Sequence, residues 1–194
     1  MAGPGADGAG SPAGQAAAVH GEIMVATAAR MKALGEHLAA LLRPGDLVVL
    51  TGPLGAGKTT LVQGIAAGLR VRGPVTSPTF VIARIHPALQ GGPALVHADA
   101  FRLGSRAEID DLDLDADTDD CVTVVEWGEG LVEELAPSYL QITIAMNRRG
   151  PGGTDSVAEP GDEPRTVVIA GWGERWAEAA DPARLGRTGA WDAL

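Results

Sequence analysis

Residues 52–59 read GPLGAGKT and follow directly on the apolar run LVVL at 47–50. Two glycines, a lysine and a threonine at this spacing make a phosphate-binding P-loop. Glycines are needed because successive backbone N–H groups must turn inward around phosphate oxygens, where Cβ atoms would obstruct them. Lys58 can reach the β and γ phosphates, and Thr59 offers its hydroxyl to Mg²⁺. A helix starting near Lys58 aims its positive end at the same anion. The residues expected around the nucleotide are therefore Leu54, Gly55, Ala56, Gly57, Lys58, Thr59 and Thr60. A plain glycine-rich turn is the competing reading. It is disfavoured because the chain has only two lysines, Lys32 and Lys58, and one of them falls between Gly57 and Thr59.

The chain has 194 residues, enough for one domain, and its 45% apolar content can bury a sizeable core. A formal charge of −10 argues against a direct grip on nucleic acid, which is held mainly by clustered Lys and Arg. Any nucleic acid served by this chain is expected to be held by a partner. The single cysteine, Cys121, excludes an internal disulfide and suits a reducing cytoplasm, with core packing at a strand start as its expected role. No apolar stretch approaches the roughly 18 residues of a membrane span, and the N-terminus has no basic start followed by an apolar block. A cytoplasmic protein without membrane attachment is expected.

Working outward from the loop, 46–51 reads as a buried strand and 58–69 as a helix. Upstream, 22–26 reads as a short strand, and 28–42 as an amphipathic helix with Met31, Leu34, Leu38, Leu41 and Leu42 at helical spacing, stopped by Arg43-Pro44-Gly45. Downstream strands are expected at 80–85, 94–98, 121–125, 139–145 and 166–170, with an exposed hairpin loop over 147–164. The Gly, Ala and Pro rich stretch 1–21 reads as a disordered tail, 22–180 as a P-loop ATPase domain and 181–194 as a C-terminal tail. The fold class is α/β, P-loop NTPase-like, with a mostly parallel central sheet, flanking helices and a C-terminal antiparallel extension. The strand–helix order favours a parallel sheet covered on both faces.

Two apolar strands deliver acids at their carboxyl ends, Asp99 after 94–98 and Glu126 after 121–125. In an open α/β sheet ligands lie beyond those ends, so both acids can face the phosphate loop. Mg²⁺ needs at least one carboxylate besides Thr59 and the nucleotide oxygens. Glu126 is the first choice, because CVTVVE is the more continuous apolar strand. Asp99 is then a candidate to orient attacking water or to hold the metal through an intervening water. For either acid the plainer alternative is a solvated strand end or a helix cap. Trp127 can pack over the nucleotide or fill the gap between sheet and loop. His97 reads first as a histidine satisfied on a strand, with a site role kept open by its neighbour Asp99. Arg102 is weighed between γ-phosphate stabilisation and an exposed ion pair. The acids Glu108, Asp110, Asp111, Asp113, Asp115, Asp117, Asp119 and Asp120 read as a solvated surface that could also dock a basic partner.

GPLGAGKTT at 52–60, TSPTF at 76–80, HADAFR at 97–102 and VEWGE at 125–129 together resemble, in order and spacing, the bacterial ATPase of tRNA threonylcarbamoyladenosine biosynthesis, the TsaE (YjeE) family. The resemblance runs from about residue 22 to 145, with a weaker echo to Trp176. It implies a small P-loop ATPase, with ATP and Mg²⁺ as cofactors and proteins of the TsaB–TsaD type as partners. ATP hydrolysis would support placement of threonylcarbamoyl on adenosine 37 of tRNAs reading codons that begin with A. It also implies Lys58 on phosphate, Thr59 and Glu126 on Mg²⁺, Ser77 and Thr79 in a switch-like loop, Asp99 in hydrolysis and Trp127 near the nucleotide; Asp99, Glu126 and Lys58 form the catalytic set. Two positions depart from the family pattern. Phe101 stands where tyrosine is common, and Met31 stands where many members have a threonine near the nucleotide.

A small-molecule kinase is the alternative function, since the same loop can pass the γ-phosphoryl group to an acceptor other than water. It ranks lower because no arginine-rich lid segment or acceptor site stands out. A guanine-nucleotide switch is disfavoured because the Asn-Lys-x-Asp signature cannot occur in a chain whose only asparagine is Asn147.

Overall fold

Strands that are apolar along most of their length belong in the middle of a sheet with both faces covered, and two stretches of this chain meet that description. The computed structural model describes residues 17, 19–79, 81–103, 105, 108–109, 120–146 and 163–179. In it β2 (Leu47–Thr51) and β5 (Cys121–Glu126) are buried along almost their whole lengths and pair with each other in parallel. Around them, β1 (Val19–Val25), β3 (Ala83–His86), β4 (Ala94–Asp99), β6 (Tyr139–Met146) and β7 (Arg165–Trp172) complete a seven-stranded sheet of order β1-β7-β6-β2-β5-β4-β3. The inner strands β6, β2, β5 and β4 run parallel, while β7 and then β1 add antiparallel strands on one side and β3 adds one on the other. The parallel centre and the C-terminal antiparallel extension are as expected. β7, one strand in from the edge, alternates between buried and partly exposed positions over most of its length, as one-sided burial requires.

Two helices of the same length, α1 (Ala28–Ala39) and α2 (Lys58–Leu69), pack on one face of this sheet. Their backbones nearly touch. A Cβ on Gly64 would lie 2.1 Å from the Lys32 carbonyl oxygen, and one on Gly35 would lie 2.4 Å from that of Leu61, so glycine is required on both sides of the crossing. The resulting core joins Met31, Leu34 and Leu38 of α1 and Leu61 and Ile65 of α2 to Leu50, Val124 and Ile142 of the sheet. The opposite face carries a smaller cluster, with Val49, Val96 and Val125 beneath Ile109 and Val132. Cys121 is buried there at the start of β5 and forms no disulfide.

Among the boundaries that differ from those expected, three have a clear local reason. The first helix ends at Ala39 instead of residue 42, because the turn tightens ahead of Arg43-Pro44 and Leu41 N–H donates to Leu38 O at 2.9 Å. The third strand starts at Ala83, because Val81 and Ile82 N–H groups first close a turn on the Pro78 carbonyl. β1 begins at Val19, inside the stretch expected as tail, where it pairs with Gly171. A short helix, α3 (Glu174–Ala179), was not expected at all. It delivers Arg175, whose guanidinium bonds both Asp46 oxygens at 3.0 and 3.1 Å and the Leu41 carbonyl at 2.7 Å, tying the end of the domain to the start of β2. The expected hairpin loop over 147–164, the terminal tails and most of the acidic run over 108–120 lie largely or wholly outside the described residues. Among the described residues no helix is long and apolar enough to cross a membrane.

Candidate nucleotide-binding site

The carboxyl ends of β2, β4 and β5 open into a cleft of about 260 Å³ lined by Leu54, Gly55, Gly57, Lys58, Thr59, Thr60, Ser77, Thr79, Asp99, Glu126 and Trp127. Each of these positions was picked out from the sequence. Ala56 was too, but its side chain is fully buried in the main core and its N–H donates to Pro53 O. Arg102 is exposed beyond the cleft, and Met31 is buried beneath the loop, with its Cε 3.5 Å from where a Cβ on Gly57 would stand.

The loop turns because Gly55 and Gly57 adopt φ of 78° and 109°, a region that side chains oppose. The two helices that follow β1 and the loop begin in different ways. In α1 the Thr27 hydroxyl accepts from Arg30 N–H at 3.2 Å, whereas α2 starts at Gly57 with no side-chain cap and no acid in its first turn. Its first amides are thus unclaimed by any cap and can serve an anion.

Lys58 leaves the first turn of α2 and donates to the Gly52 and Pro53 carbonyls at 2.8 and 3.1 Å. Its ammonium also lies 3.7 Å from the centre of the Trp127 ring. Burial pulls the Lys58 ammonium below its ordinary value, opposed by the charge of Glu126 and then of Asp99. Trp127 reaches this position because its backbone adopts φ of 62°, costly for a bulky residue, while its N–H donates to Leu50 O at 2.8 Å. Phe101 also packs on Trp127, with ring centres 5.1 Å apart, and is 62% exposed.

The two acids are partners across the β4–β5 register, and both are buried. Glu126 Oε1 accepts from the Thr59 hydroxyl at 2.8 Å and lies 2.9 Å from His97 Nε2. Asp99 Oδ2 accepts from Thr79 at 2.5 Å and from Ser77 at 3.3 Å, while Oδ1 accepts from Phe101 N–H at 2.9 Å. Ser77 and Thr79 hydroxyls lie 2.6 Å apart, so the 76–79 loop closes over Asp99 as a small polar cluster. The donor set suits a hard divalent cation beside a triphosphate: Thr59 and Glu126 already touch and both offer oxygen. Among the described residues no cluster of three His, Cys, Asp or Glu side chains could hold a metal alone, so such an ion would take its remaining ligands from phosphate and water. His97 is the member that sequence reasoning left undecided. It is fully buried and touches Glu126, a contact that depends on strand register and has no sequence signature.

Residues 25–151 match the family model described as threonylcarbamoyl adenosine biosynthesis protein TsaE. The tRNA threonylcarbamoyladenosine biosynthesis protein TsaE of Streptomyces coelicolor is 56% identical over 150 residues, covering 77% of this chain and 95% of that protein. Its namesake from Bacillus subtilis is 35% identical over 146 residues, covering 75% and 82%. The crystal structure of YdiB of Bacillus subtilis superposes with a TM-score of 0.63 at 28% identity, over 87% of this chain and 95% of that one.

Proposed function

The chain belongs to the TsaE family, and from that membership and its cleft we propose that it is the ATP-binding, Mg²⁺-dependent ATP-hydrolysing subunit for threonylcarbamoyl modification of adenosine 37 in tRNAs reading codons that begin with A. It acts in the cytoplasm with partner proteins of the TsaB–TsaD type, and its −10 charge leaves tRNA to those partners. The observation that carries this reading is a convergence: the uncapped start of α2, the Lys58 ammonium and the touching pair Thr59 and Glu126 all face one cleft.

In this reading Mg²⁺, when bound, neutralises charge developing on the phosphate oxygens. Thr59 and Glu126 are the protein groups that hold it. Lys58 gives up its bonds to the Gly52 and Pro53 carbonyls and turns to phosphate oxygen, a partner that also relieves the cost of its burial. The α2 amides and the loop backbone grip the anion. Asp99, at the end of β4, orients the attacking water. Its oxygens are engaged by Ser77, Thr79 and Phe101 N–H, so movement of the 76–79 loop sets when it is available. Trp127 covers the site.

Calorimetric titration with ATP, with and without Mg²⁺, tests the binding reading, and tight binding that strengthens with Mg²⁺ is expected. Lys58→Ala should weaken it by about 10–100-fold, the worth of a hydrogen bond to a charged group. Phosphate release should rise when the partner proteins are added. Negligible turnover in both cases, or a phosphorylated metabolite appearing in place of free phosphate, would count against the ATPase reading.

A further inference from the structure

Strand alternation puts Leu95, His97 and Asp99 on the β4 face that α2 covers, beside Val122, Val124 and Glu126 of β5. An imidazole at this depth is costly unless its nitrogens are used, and an aliphatic side chain such as that of Leu95 would fill the space without that cost. His97 is fully buried, its Nδ1 has no partner among the described residues, and its one polar contact is Nε2 to Glu126 Oε1 at 2.9 Å. A nitrogen and a carboxylate oxygen at that distance share a proton, which Nε2 donates. Oε1 therefore accepts twice, from His97 and from the Thr59 hydroxyl, and no hydrogen bond among the described residues engages Oε2.

We infer that His97 is a positioning residue for the divalent cation: its imidazole N–H pins Oε1 from inside the sheet, fixing the Glu126 rotamer so that Oε2 is presented to the metal. The inference rests on the proposed nucleotide site and assigns His97 no contact with nucleotide or water. Its burial on the sheet face that α2 covers makes the pin rigid, since the ring cannot turn away without disturbing the packing of α2 on β4 and β5. Groups that orient a metal ligand in this way are typically worth about 10–100-fold in metal affinity or activity.

The test is calorimetry with a non-hydrolysable ATP analogue over a series of MgCl₂ concentrations and in EDTA. His97→Phe, which keeps a ring and loses the donor, should raise the Mg²⁺ concentration needed for half of the affinity gain by about 10–100-fold and leave affinity in EDTA unchanged. His97→Gln, whose amide N–H can reach the same oxygen, should recover most of the loss. In a Glu126→Gln background His97→Phe should add little, because both substitutions act through one carboxylate. If phenylalanine lowers the Tm, His97→Asn, which is smaller and falls short of Oε1, should give the same rise. An unchanged Mg²⁺ requirement in the donor-less variants, or an equal loss of affinity in EDTA, overturns the assignment. An unsubstituted protein whose nucleotide affinity ignores Mg²⁺ overturns the nucleotide reading itself, and this one with it.

Discussion

Asp99 and Glu126 sit side by side at the ends of adjacent parallel strands, each 3% exposed, yet they are held by different kinds of structure. Glu126 is gripped by side chains of regular elements, Thr59 from the first turn of α2 and His97 from β4. Asp99 is gripped by a loop, through Ser77, Thr79 and the Phe101 amide. Equal burial therefore conceals unequal freedom. In the proposed mechanism the acid that would hold the cation is anchored to the core, and the acid that would orient water is anchored to a loop.

The contrast can be broken most severely at Asp99. If it orients water, Asp99→Asn should lower ATP turnover by about 10²–10⁴-fold in single-turnover assays while nucleotide affinity in Mg²⁺ stays near its original value. Glu126→Gln should do the reverse, raising the Mg²⁺ requirement for nucleotide binding by about 10–100-fold and leaving affinity in EDTA intact. If the two profiles coincide, the division of labour is wrong. Thr79→Val should have a smaller effect. It removes the hydroxyl that bonds Asp99 and meets Ser77, about 1 kcal/mol per hydrogen bond and on the loop side only, so turnover should change about fivefold or somewhat more in steady-state assays and Mg²⁺ dependence should not change.

The smallest effect concerns acid. His86, on the strand beyond Asp99, is buried and its pKa is held below the ordinary 6.5, chiefly by desolvation. The folded state then binds fewer protons than the unfolded one in the window below 6.5, so stability is full above that pH and falls as pH drops through the lowered pKa. The slope cannot exceed about 1.4 kcal/mol per pH unit for one proton. Urea melts at pH 7 and pH 5 should show the fall, and His86→Gln should flatten it. Hydrogen-exchange protection on β3 and β4, taken relative to the intrinsic exchange rate at each pH, should fall with acid before that on β2 and β5 does.

What could be read from the sequence follows the same division. The limits of α2 coincide with those expected, because Gly57 must start it and the periodic pattern ends at Leu69. Both acids were legible because a mostly apolar strand that ends in a carboxylate delivers it to the ligand end of the sheet. The position of β1 was not legible. A strand–helix–strand order suggests neighbours, whereas β1 lies at the far edge, separated from β2 by β7 and β6, through long-range pairing with β7. The His97 contact was hidden for the same reason: the register that pairs Asp99 with Glu126 is a tertiary fact, and a lone histidine on a strand carries no mark of what it touches. α3 is six residues long and too short for periodicity to show it.

The bare crossing of Gly35 and Gly64 has a mechanical consequence. With carbonyl oxygens where side chains would otherwise cushion the two rods, α1 and α2 have no slack between them and behave as one plate. Any tilt that α2 makes as its leading turn closes on an anion must drag α1 along, together with the thioether of Met31 that props the floor of the loop. Recoil at the phosphate end is thereby delivered to the exposed back of α1, on the far side from the sheet.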